Sequence, residues 1–271
     1  LIIRNLNAVG SFWQVHISGK RTKEKNMKLI KLLGGVALAA AFTTSAMADG
    51  HAVRLGTEGA YAPYNFINDA GEVDGFEREV GDELCKRAEL DCTWVTNEWD
   101  SIIPNLVSGN YDAIIAGMSI TAERDEVIDF TQEYFPPDPS TYVAAAGASM
   151  DAIKGNVAAQ TATIQASYVS DSGATLVEFS TPDEVVAAVK NGEVDAALAD
   201  DAFWQDIVKA SNGELVFIGE PIAIGGGIGM GIRESDTELK DKLNAAIDSI
   251  KADGTLSTMI AKWFDGRMVK Y

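Results

Sequence analysis

The sequence predicts an α/β fold in which strands and helices alternate along the chain. Residues 52–57, "AVRLGT", alternate apolar and polar side chains and lead into a Gly/Ala/Pro loop. The stretch "GFEREVGDELCKRAEL" then places Val80, Leu84, Cys85 and Ala88 four, one and three residues apart, the spacing of an amphipathic helix. Repeated strand–helix units favour a parallel sheet with ligands at the carboxyl ends of its strands.

Two further observations extend this pattern. Residues 91–96, "DCTWVT", are β-rich, and "DSIIPNLVSG" after them predicts a helix. The segments "GNYDAIIA" (109–116) and "GEVDAALA" (192–199) share Gly-x-x-Asp-Ala-x-x-Ala, and each comes after a helix-like segment. "VRLGTEGAY" and "GNVAAQTATIQASY" form a second pair with the same strand–loop–helix order. Short echoes also arise by chance in Ala-rich sequence, but the matching order of elements predicts two similar α/β lobes.

The N-terminal part carries the features of an export signal. From Met27, two lysines precede an apolar run over 32–42, and Ala46-Met47-Ala48 forms an A-x-A cleavage site. We therefore predict a signal peptide at 27–48, removed on secretion. The alternative is a membrane anchor, which needs about 20 apolar residues, and the hydroxyl residues at 43–45 interrupt this run earlier.

Residues 1–26 have no initiator Met and no packing pattern. We interpret them as a non-native leader translated from upstream DNA, in which the codons for Lys23-Glu24 resemble a ribosome-binding sequence. The alternative is a genuine basic tail.

The charge balance narrows the classes of partner. The chain has 22 basic and 40 acidic residues, of which seven and one lie in 1–48, leaving a formal charge of −24 over 223 residues. Such a field disfavours nucleic acid and anionic membranes and attracts small cations. Adaptation to salty water explains the same composition without any partner.

Cys85 and Cys92 are the two cysteines of the chain. Metal binding requires more Cys or His ligands, and the sole histidine after the signal, His51, sits at the predicted cleavage site. We therefore expect no metal site. In an exported protein, a local disulfide is the favoured interpretation.

Several segments in order resemble the polar amino-acid periplasmic binding proteins of bacterial ABC transporters, especially the lysine/arginine/ornithine, histidine and opine binders. The resemblance runs from about residue 52 to residue 265. It is carried by "RLGTEGAYAPYNF", "GFEREVGDELCKRAEL", the cysteine spacing, "WDSIIPNLVSGNYDAIIAGMSITAERDEVIDFT", "VDAALAD" and "GGGIGMGIRESDTELKDKLNAAIDSIKADGTLSTMIAKWF".

The resemblance implies a type II periplasmic-binding-protein clamp, in which each lobe is a mixed sheet flanked by helices. Lobe 1 would comprise 49–135 and 228–271, and lobe 2 would comprise 136–227. Two crossover strands would join the lobes. The prolines of "FPPDPSTYVA" fall at the first crossing and the glycines 225–227 at the second. A phosphate-binding loop is the rival interpretation of those glycines, but the Lys-Ser/Thr ending is missing.

An amino-acid carboxylate is best held by a guanidinium together with backbone N–H groups at a helix N-terminus. Arg124 comes after "MSIT" at the end of a predicted strand and resembles the family's carboxylate-binding arginine. On the opposite lobe, the N–H groups near Ala162 and Thr163, with the Thr163 hydroxyl, would complete this subsite. The alternative for Arg124 is a solvated ion pair with Glu123 or Asp125, which contributes at most about 1 kcal/mol.

The ammonium of the ligand needs acceptors. Asp200 comes directly after the second echo and resembles the family's ammonium-binding carboxylate, with Ser119 Oγ and the Gly117 carbonyl facing it. Its neighbour Asp201 is the competing assignment. Ala116 and Gly117 stand where many relatives carry hydroxyls, which puts some hydrogen bonds of the family in doubt.

Four residues are candidates for the ligand's side chain. Tyr61 resembles the aromatic residue that covers the ligand, and Trp99 lies at a position lining the same pocket. With Glu58 and Glu77, these aromatics favour a cationic side chain through cation–π contact and charge pairing. Glu77 has alternatives, a pair with Arg78 or a structural role. We expect arginine, lysine, ornithine, histidine or an opine as ligand.

The resemblance implies a monomeric, cofactor-free periplasmic component of an amino-acid importer that closes on its ligand and docks on a permease. Two other classes stay open. A dehydratase of the same fold needs a general acid and a second cleft cation, and only Arg124 is evident. A sensor domain needs a membrane span and an output domain, which we do not find in the sequence.

Overall fold

Residues 52–264 are described in this computed structural model, and they form two five-stranded sheets and one small three-stranded sheet. The segments predicted as leader and signal peptide lie outside this range. The strands are β1 (Val53–Thr57), β2 (Ala60–Tyr61), β3 (Asn65–Ile67), β4 (Val73–Asp74), β5 (Cys92–Thr96), β6 (Ala113–Ile114), β7 (Asp129–Phe130), β8 (Ser140–Ala145), β9 (Asn156–Gln160), β10 (Thr175–Phe179), β11 (Ala196–Asp200), β12 (Leu215–Ile222) and β13 (Gly231–Ile232).

Eight α-helices lie between these strands or after them. They are α1 (Phe76–Arg87), α2 (Ile102–Val107), α3 (Ala122–Asp125), α4 (Ile164–Ser172), α5 (Pro182–Asn191), α6 (Asp201–Ala210), α7 (Thr237–Ala252) and α8 (Thr255–Trp263), with 3₁₀ turns at Trp99–Ser101 and Met150–Lys154. The predicted alternation of strands and helices is thereby confirmed. Within 52–264, no helix is long and apolar enough to cross a membrane.

The sheets are mixed rather than purely parallel. The first has the order β5-β1-β6-β13-β7, in which β5, β1 and β6 are parallel and β13 is antiparallel to both of its neighbours. The second has the order β10-β9-β11-β8-β12, with β10, β9 and β11 parallel and β8 antiparallel to its neighbours. This is the two-lobed clamp that the sequence predicts, with one sheet in each lobe.

Helix termini are set by local sequence signals. Thr181 caps α5, because its hydroxyl accepts from the Glu184 N–H while the Glu184 carboxylate accepts from the Thr181 N–H. Pro182 occupies the first turn of α5, where its missing N–H is not needed. Gly192 ends the helix in the left-handed region, with φ 70°.

Helices α1, α7 and α8 pack against one another and against the first sheet. Their fully buried side chains include Val80, Leu84, Ile247 and Ile260. A disulfide joins Cys85 in α1 to Cys92 in β5, with 6.2 Å between the Cα atoms. The sequence prediction of this disulfide is confirmed, and the bond ties the helix to an edge strand of the sheet.

The chain passes between the sheets twice. The first passage lies between β7 and β8 and contains the prolines at 136, 137 and 139; the second lies between β12 and β13 and contains the glycines at 225–227. Gly226 has no room for a side chain, because a Cβ there would lie 2.7 Å from the Ile120 carbonyl oxygen. The residue limits of the two lobes stay predictions.

Candidate functional site

Arg124 lies in the short helix α3, and its guanidinium reaches into the space between the two lobes. Its Nη1 donates to the Ser119 carbonyl at 2.9 Å, and its Cζ lies 5.3 Å from the centre of the Trp99 ring. The Thr121 hydroxyl accepts from the Arg124 N–H and caps the helix. Burial lowers the pKa of Arg124 to about 10, although the charges of Asp200 and Glu123 act to raise it.

The surroundings of this guanidinium differ from the sequence prediction in one respect. The strand expected directly before Arg124 ends earlier, at Ile114, and Ser119 makes only an isolated bridge to Ile228. The guanidinium also has no ion pair with a carboxylate in the described part of the chain, including Glu123 and Asp125. The alternative of a solvated ion pair is therefore not what the structure contains.

Asp200 is the last residue of β11 and lies directly before α6. Its Oδ2 accepts from the Tyr61 hydroxyl at 2.9 Å, and its Oδ1 accepts from the Gln165 amide at 2.7 Å and more distantly from Ser140. Burial, with a further contribution from the charge of Asp138, raises the pKa of Asp200 to about 7. This carboxylate is therefore fixed in orientation and costly to keep ionised unless a cation lies beside it.

Helix α4 begins beside Arg124, as expected from "QTAT". The Thr163 hydroxyl donates to the Gln160 carbonyl at 2.6 Å and accepts from the Ala166 N–H, so it serves as the helix cap. Ala162, with φ 59°, turns the chain into this cap, and its carbonyl accepts from Trp99 Nε1 and Arg124 Nη2. Because the Ala166 N–H is taken by Thr163, the N–H groups of Ile164 and Gln165 are those that the start of α4 can offer to an anion.

Glu58 lies at the other end of the same space. Its Oε1 accepts from the Gln160 amide at 2.6 Å, which joins the two lobes. Burial raises the pKa of Glu58 to about 7, and the charges of Glu98 and Asp183 add to the shift. Tyr61, in β2 three residues later, stacks on Phe203 of the second lobe with 4.4 Å between ring centres.

The cleft between the lobes brings together eight of the ten residues predicted to contact the ligand. Its walls hold about 530 Å³ of space between their atoms, part of which is open to solvent. The predicted residues on the walls are Glu58, Tyr61, Trp99, Gly117, Ser119, Arg124, Thr163 and Asp200. Ala162 lies at the rim and contributes its carbonyl to Arg124 and Trp99.

Glu77, which we predicted to contact the ligand's side chain, does not line the cleft. Glu77 is fully buried in α1, away from the cleft wall, and burial raises its pKa. One carboxylate oxygen accepts from the Gly117 N–H at 2.6 Å and from the Tyr134 hydroxyl, and the other accepts from Asn65 at 2.7 Å. Because Asn65 in turn accepts from the Gly59 N–H, Glu77 holds two cleft loops in place.

The cleft-lining residues that sequence reasoning missed include Gln160, Gln165 and Phe203. Gln160 ends a strand in which the three side chains before it, at 157–159, are buried and apolar, so a polar residue at that carboxyl end was an available signal. Gln165 and Phe203 lie in the first turns of the helices that come after strands β9 and β11. No local spacing distinguishes them from ordinary helix residues.

Comparison with known proteins identifies the family of the chain that forms this cleft. Residues 53–266 match bacterial extracellular solute-binding proteins, family 3. The chain belongs to this family. The lysine/arginine/ornithine-binding periplasmic protein of Escherichia coli K12, to which the chain is similar, is 33% identical over 257 residues, covering 89% of this chain and 97% of that protein. The L-arginine-binding protein of Pseudomonas aeruginosa is 32% identical over 253 residues, covering 88% and 97%.

A solved structure is more similar in sequence to this family 3 chain than the two relatives above. A periplasmic His/Glu/Gln/Arg/opine family-binding protein from Silicibacter pomeroyi, in complex with lysine, is 68% identical. The match covers 81% of this chain and 100% of that chain, with a TM-score of 0.78. The resemblance to polar amino-acid binding proteins inferred from the sequence is thereby confirmed.

Proposed function

We propose that this family 3 protein is the extracytoplasmic binding component of an amino-acid ABC importer and that it holds a cationic amino acid in the cleft. One observation carries the proposal: Arg124 on the first lobe and Asp200 on the second line the same cleft. An α-amino acid carries one carboxylate and one ammonium on neighbouring atoms. A fixed cation and a fixed anion that face one cleft are complementary to these two groups of the ligand.

The carboxylate of the ligand would lie against Arg124 and the N-terminus of α4. Charge-assisted hydrogen bonds to a guanidinium are about twice as strong as neutral ones. The ammonium would lie against Asp200, whose orientation is set by Tyr61 and Gln165. Ser119 and the Gly117 carbonyl remain the proposed additional acceptors.

The ligand's side chain would point toward Glu58, past the faces of Trp99 and Tyr61. A cation there would pair with the carboxylate and interact with the aromatic rings, whereas an anion would meet like charge. The 68% identical protein from Silicibacter pomeroyi was solved with lysine, and the relative from Escherichia coli is named for lysine, arginine and ornithine. Lysine is therefore our first candidate and arginine the second.

Closure of the two lobes would couple binding to delivery. Contacts from both lobes make a ligand bind the closed form more tightly than the open form, which shifts the hinge equilibrium. Changing the ratio of closed to open protein from 1:99 to 99:1 requires that the ligand bind the closed form about 5.5 kcal/mol more tightly than the open form. Three charge-assisted hydrogen bonds at about 2 kcal/mol each would supply this difference. We propose that the closed monomer, without a cofactor and without catalysis, docks on a membrane permease in the periplasm.

Titration calorimetry of the purified protein tests this proposal. We expect saturable binding of lysine and arginine, weaker binding of histidine and none of glutamate. Cadaverine is the matched control ligand, since it has both amines of lysine but no carboxylate for Arg124. Binding of glutamate without lysine, or of cadaverine as tightly as lysine, would contradict the proposed pairing of charges.

A further inference from the structure

A second, larger space adjoins the cleft at the end where the ligand's side chain is proposed to lie. We name it the outer groove; its walls include Glu58, Ile67, Trp94, Thr96, Glu98 and Thr181. The space between its walls is about 1730 Å³, against about 530 Å³ for the cleft by the same measure. The groove is open to solvent along one side.

The cleft and the outer groove meet along three segments of the chain. Glu58 lines both spaces. In the second segment, Glu98 lines the groove and the next residue, Trp99, lines the cleft. In the third, Thr181 lines the groove and the next residue, Pro182, lines the cleft. The boundary between the two spaces therefore consists largely of the Glu58 side chain and its hydrogen bond to Gln160. A ligand that binds Glu58 takes the place of one of that carboxylate's partners and reaches the groove.

We propose that the site accepts amino acids whose terminal nitrogen carries an added alkyl group and keeps its positive charge, with the alkyl group lying in the outer groove. This inference rests on the proposed function and names its substrate class. N-alkylated lysines are the simplest members. The nitrogen stays beside Glu58, and the substituent continues outward.

Two features of the groove select for this chemistry. Glu98 and Asp183 lie near enough to Glu58 for their charges to act on it, so a nitrogen that loses its charge leaves the Glu58 carboxylate in an acidic surrounding without a cation beside it. The groove wall also offers apolar surface to an alkyl group, since Ile67 is 44% exposed and the Trp94 ring lines the same wall. A carboxylate-bearing substituent would meet Glu72 and Glu98 on the groove wall, where Arg78 is already paired with Asp82.

Calorimetry with Nε-isopropyl-lysine and Nε-acetyl-lysine tests the proposal. The two substituents have nearly the same shape, but only the first leaves the nitrogen charged. We expect Nε-isopropyl-lysine to bind within about tenfold of lysine, because only the cost of ordering the substituent is added. Nε-acetyl-lysine should bind at least about 30-fold more weakly than lysine, because a buried carboxylate loses its partner.

A variant that fills the outer groove tests whether the alkyl substituent lies there. Thr96 is exposed at the end of β5 and lines the outer groove but not the cleft, so Thr96→Trp should fill the groove while lysine affinity stays within about twofold. The affinity for Nε-isopropyl-lysine should fall at least about tenfold, the discrimination a filled pocket gives against extra methyl groups. Thr93→Trp, on the same strand but outside the groove, is the matched control and should change neither affinity.

Each outcome decides something different. If neither lysine nor arginine binds, the proposed function fails. If lysine binds but Nε-isopropyl-lysine is more than about 100-fold weaker, or Thr96→Trp leaves the affinity for Nε-isopropyl-lysine unchanged, the function stands and the assignment of the outer groove is overturned.

Discussion

The two lobes of this protein have the same strand order but place residues of opposite charge, Arg124 and Asp200, at or after the ends of their equivalent middle strands. In each sheet, three parallel strands lead to one antiparallel strand and an outer strand that pairs with it. The two sequence echoes contain the equivalent middle strands, β6 and β11. The internal repeat inferred from the sequence therefore corresponds to a repeat in three dimensions.

The glycine and the aspartate shared by the two echoes have the same structural role in both lobes. Gly109 and Gly192 have φ of 80° and 70°, which lets each chain leave its helix in the left-handed region. Asp112 accepts from the Arg54 N–H at 2.9 Å, and Asp195 accepts from the Asn156 N–H at 2.8 Å. Each aspartate thus ties its middle strand to the neighbouring parallel strand.

The lobes differ in the segment that comes directly after the echo. In the second lobe the strand ends on Asp200, whereas in the first the chain continues without a strand to the cap of α3 and Arg124. A common scaffold therefore supports two subsites of opposite charge, because the residues that face the ligand come after the shared strand. Variants that remove or exchange these differences should have effects that decrease from Arg124 to the turns at the cleft.

Arg124→Ala removes the cation of the first lobe. We expect lysine affinity to fall at least about 100-fold, because the ligand's carboxylate would be desolvated without a partner. Calorimetry measures this loss. Lys154→Ala, which removes an exposed cation of the second lobe, is the control and should bind as the unmodified protein does. Near-normal affinity in Arg124→Ala would refute the role given to this residue.

Asp200→Asn neutralises the opposite subsite with little change of shape. We expect at least about 30-fold weaker lysine binding, because the ammonium loses its charged acceptor. Asp201→Asn is the matched control one residue later, in the first turn of α6, where its carboxylate accepts from Gln205. That variant should stay within about twofold. Equal losses in both variants would mean that the cleft does not distinguish the two carboxylates.

Lysine binding at pH 7 should release protons. Burial raises the pKa of both Glu58 and Asp200 to about 7, so each is partly protonated until a cation lies beside it. The binding enthalpy should therefore differ between phosphate and Tris buffers, and affinity should weaken from pH 7 to pH 5. Glu58→Gln should reduce the proton release. Identical enthalpies in the two buffers would contradict this linkage.

Ionised Glu58 and Asp200 favour lysine binding, but without a ligand their charges destabilise the folded protein. A carboxyl whose folded pKa is raised destabilises the fold when it is ionised, above about pH 7 here. This cost is relieved as the pH falls toward the ordinary carboxyl values near 4. Thermal melting should show that Glu58→Gln gains more stability at pH 8 than at pH 5.

Asp112→Ala and Asp195→Ala compare the tie between strands in the two lobes. Asp112 also accepts from the side chains of Arg54 and Arg233, whereas Asp195 accepts from the backbone N–H of Asn156. We expect losses of about 2 kcal/mol and about 1 kcal/mol in the free energy of unfolding. Urea titration measures both.

The loss of unfolding free energy in Asp112→Ala should also depend on pH. Burial opposes ionisation of Asp112, but the hydrogen bonds from Arg54 and Arg233 outweigh it and lower the pKa to about 2. The contribution of Asp112 is therefore present above about pH 4 and is lost as the pH falls toward 2. Equal losses for the two variants at neutral pH would show that the additional arginine contacts contribute no stability.

Ala162→Gly and Gly117→Ala compare two turns that face the cleft from opposite lobes. Their φ angles are 59° and 61°, but only the first-lobe turn has glycine. An added Cβ costs about 1 kcal/mol in this region. We expect Ala162→Gly to raise the melting temperature slightly and Gly117→Ala to lower it, where a Cβ would have no contact closer than 3.7 Å. Shifts of the same sign would contradict this comparison.

Local signals predicted much of the fold and most of the site. The helix spacing in α1, the echo around β6 and β11 and the disulfide between Cys85 and Cys92 each depend on residues close together in the sequence. Arg124 and Asp200 were singled out by their resemblance to the family's binding residues, and both line the cleft. Gln165 was not found, because its role depends on contact with Asp200, 35 residues away.

Glu77 separates the two kinds of information most clearly. The sequence by itself determined the strand and helix pattern, the repeated lobe and the charged residue at the end of β11, because periodicity and turn residues act locally. Only the tertiary structure decided that Glu77 is buried among Asn65, Gly117 and Tyr134, and that β13 enters the first sheet between β6 and β7. Such pairings join residues far apart in the chain, and burial of a charge is stable only where distant donors converge on it.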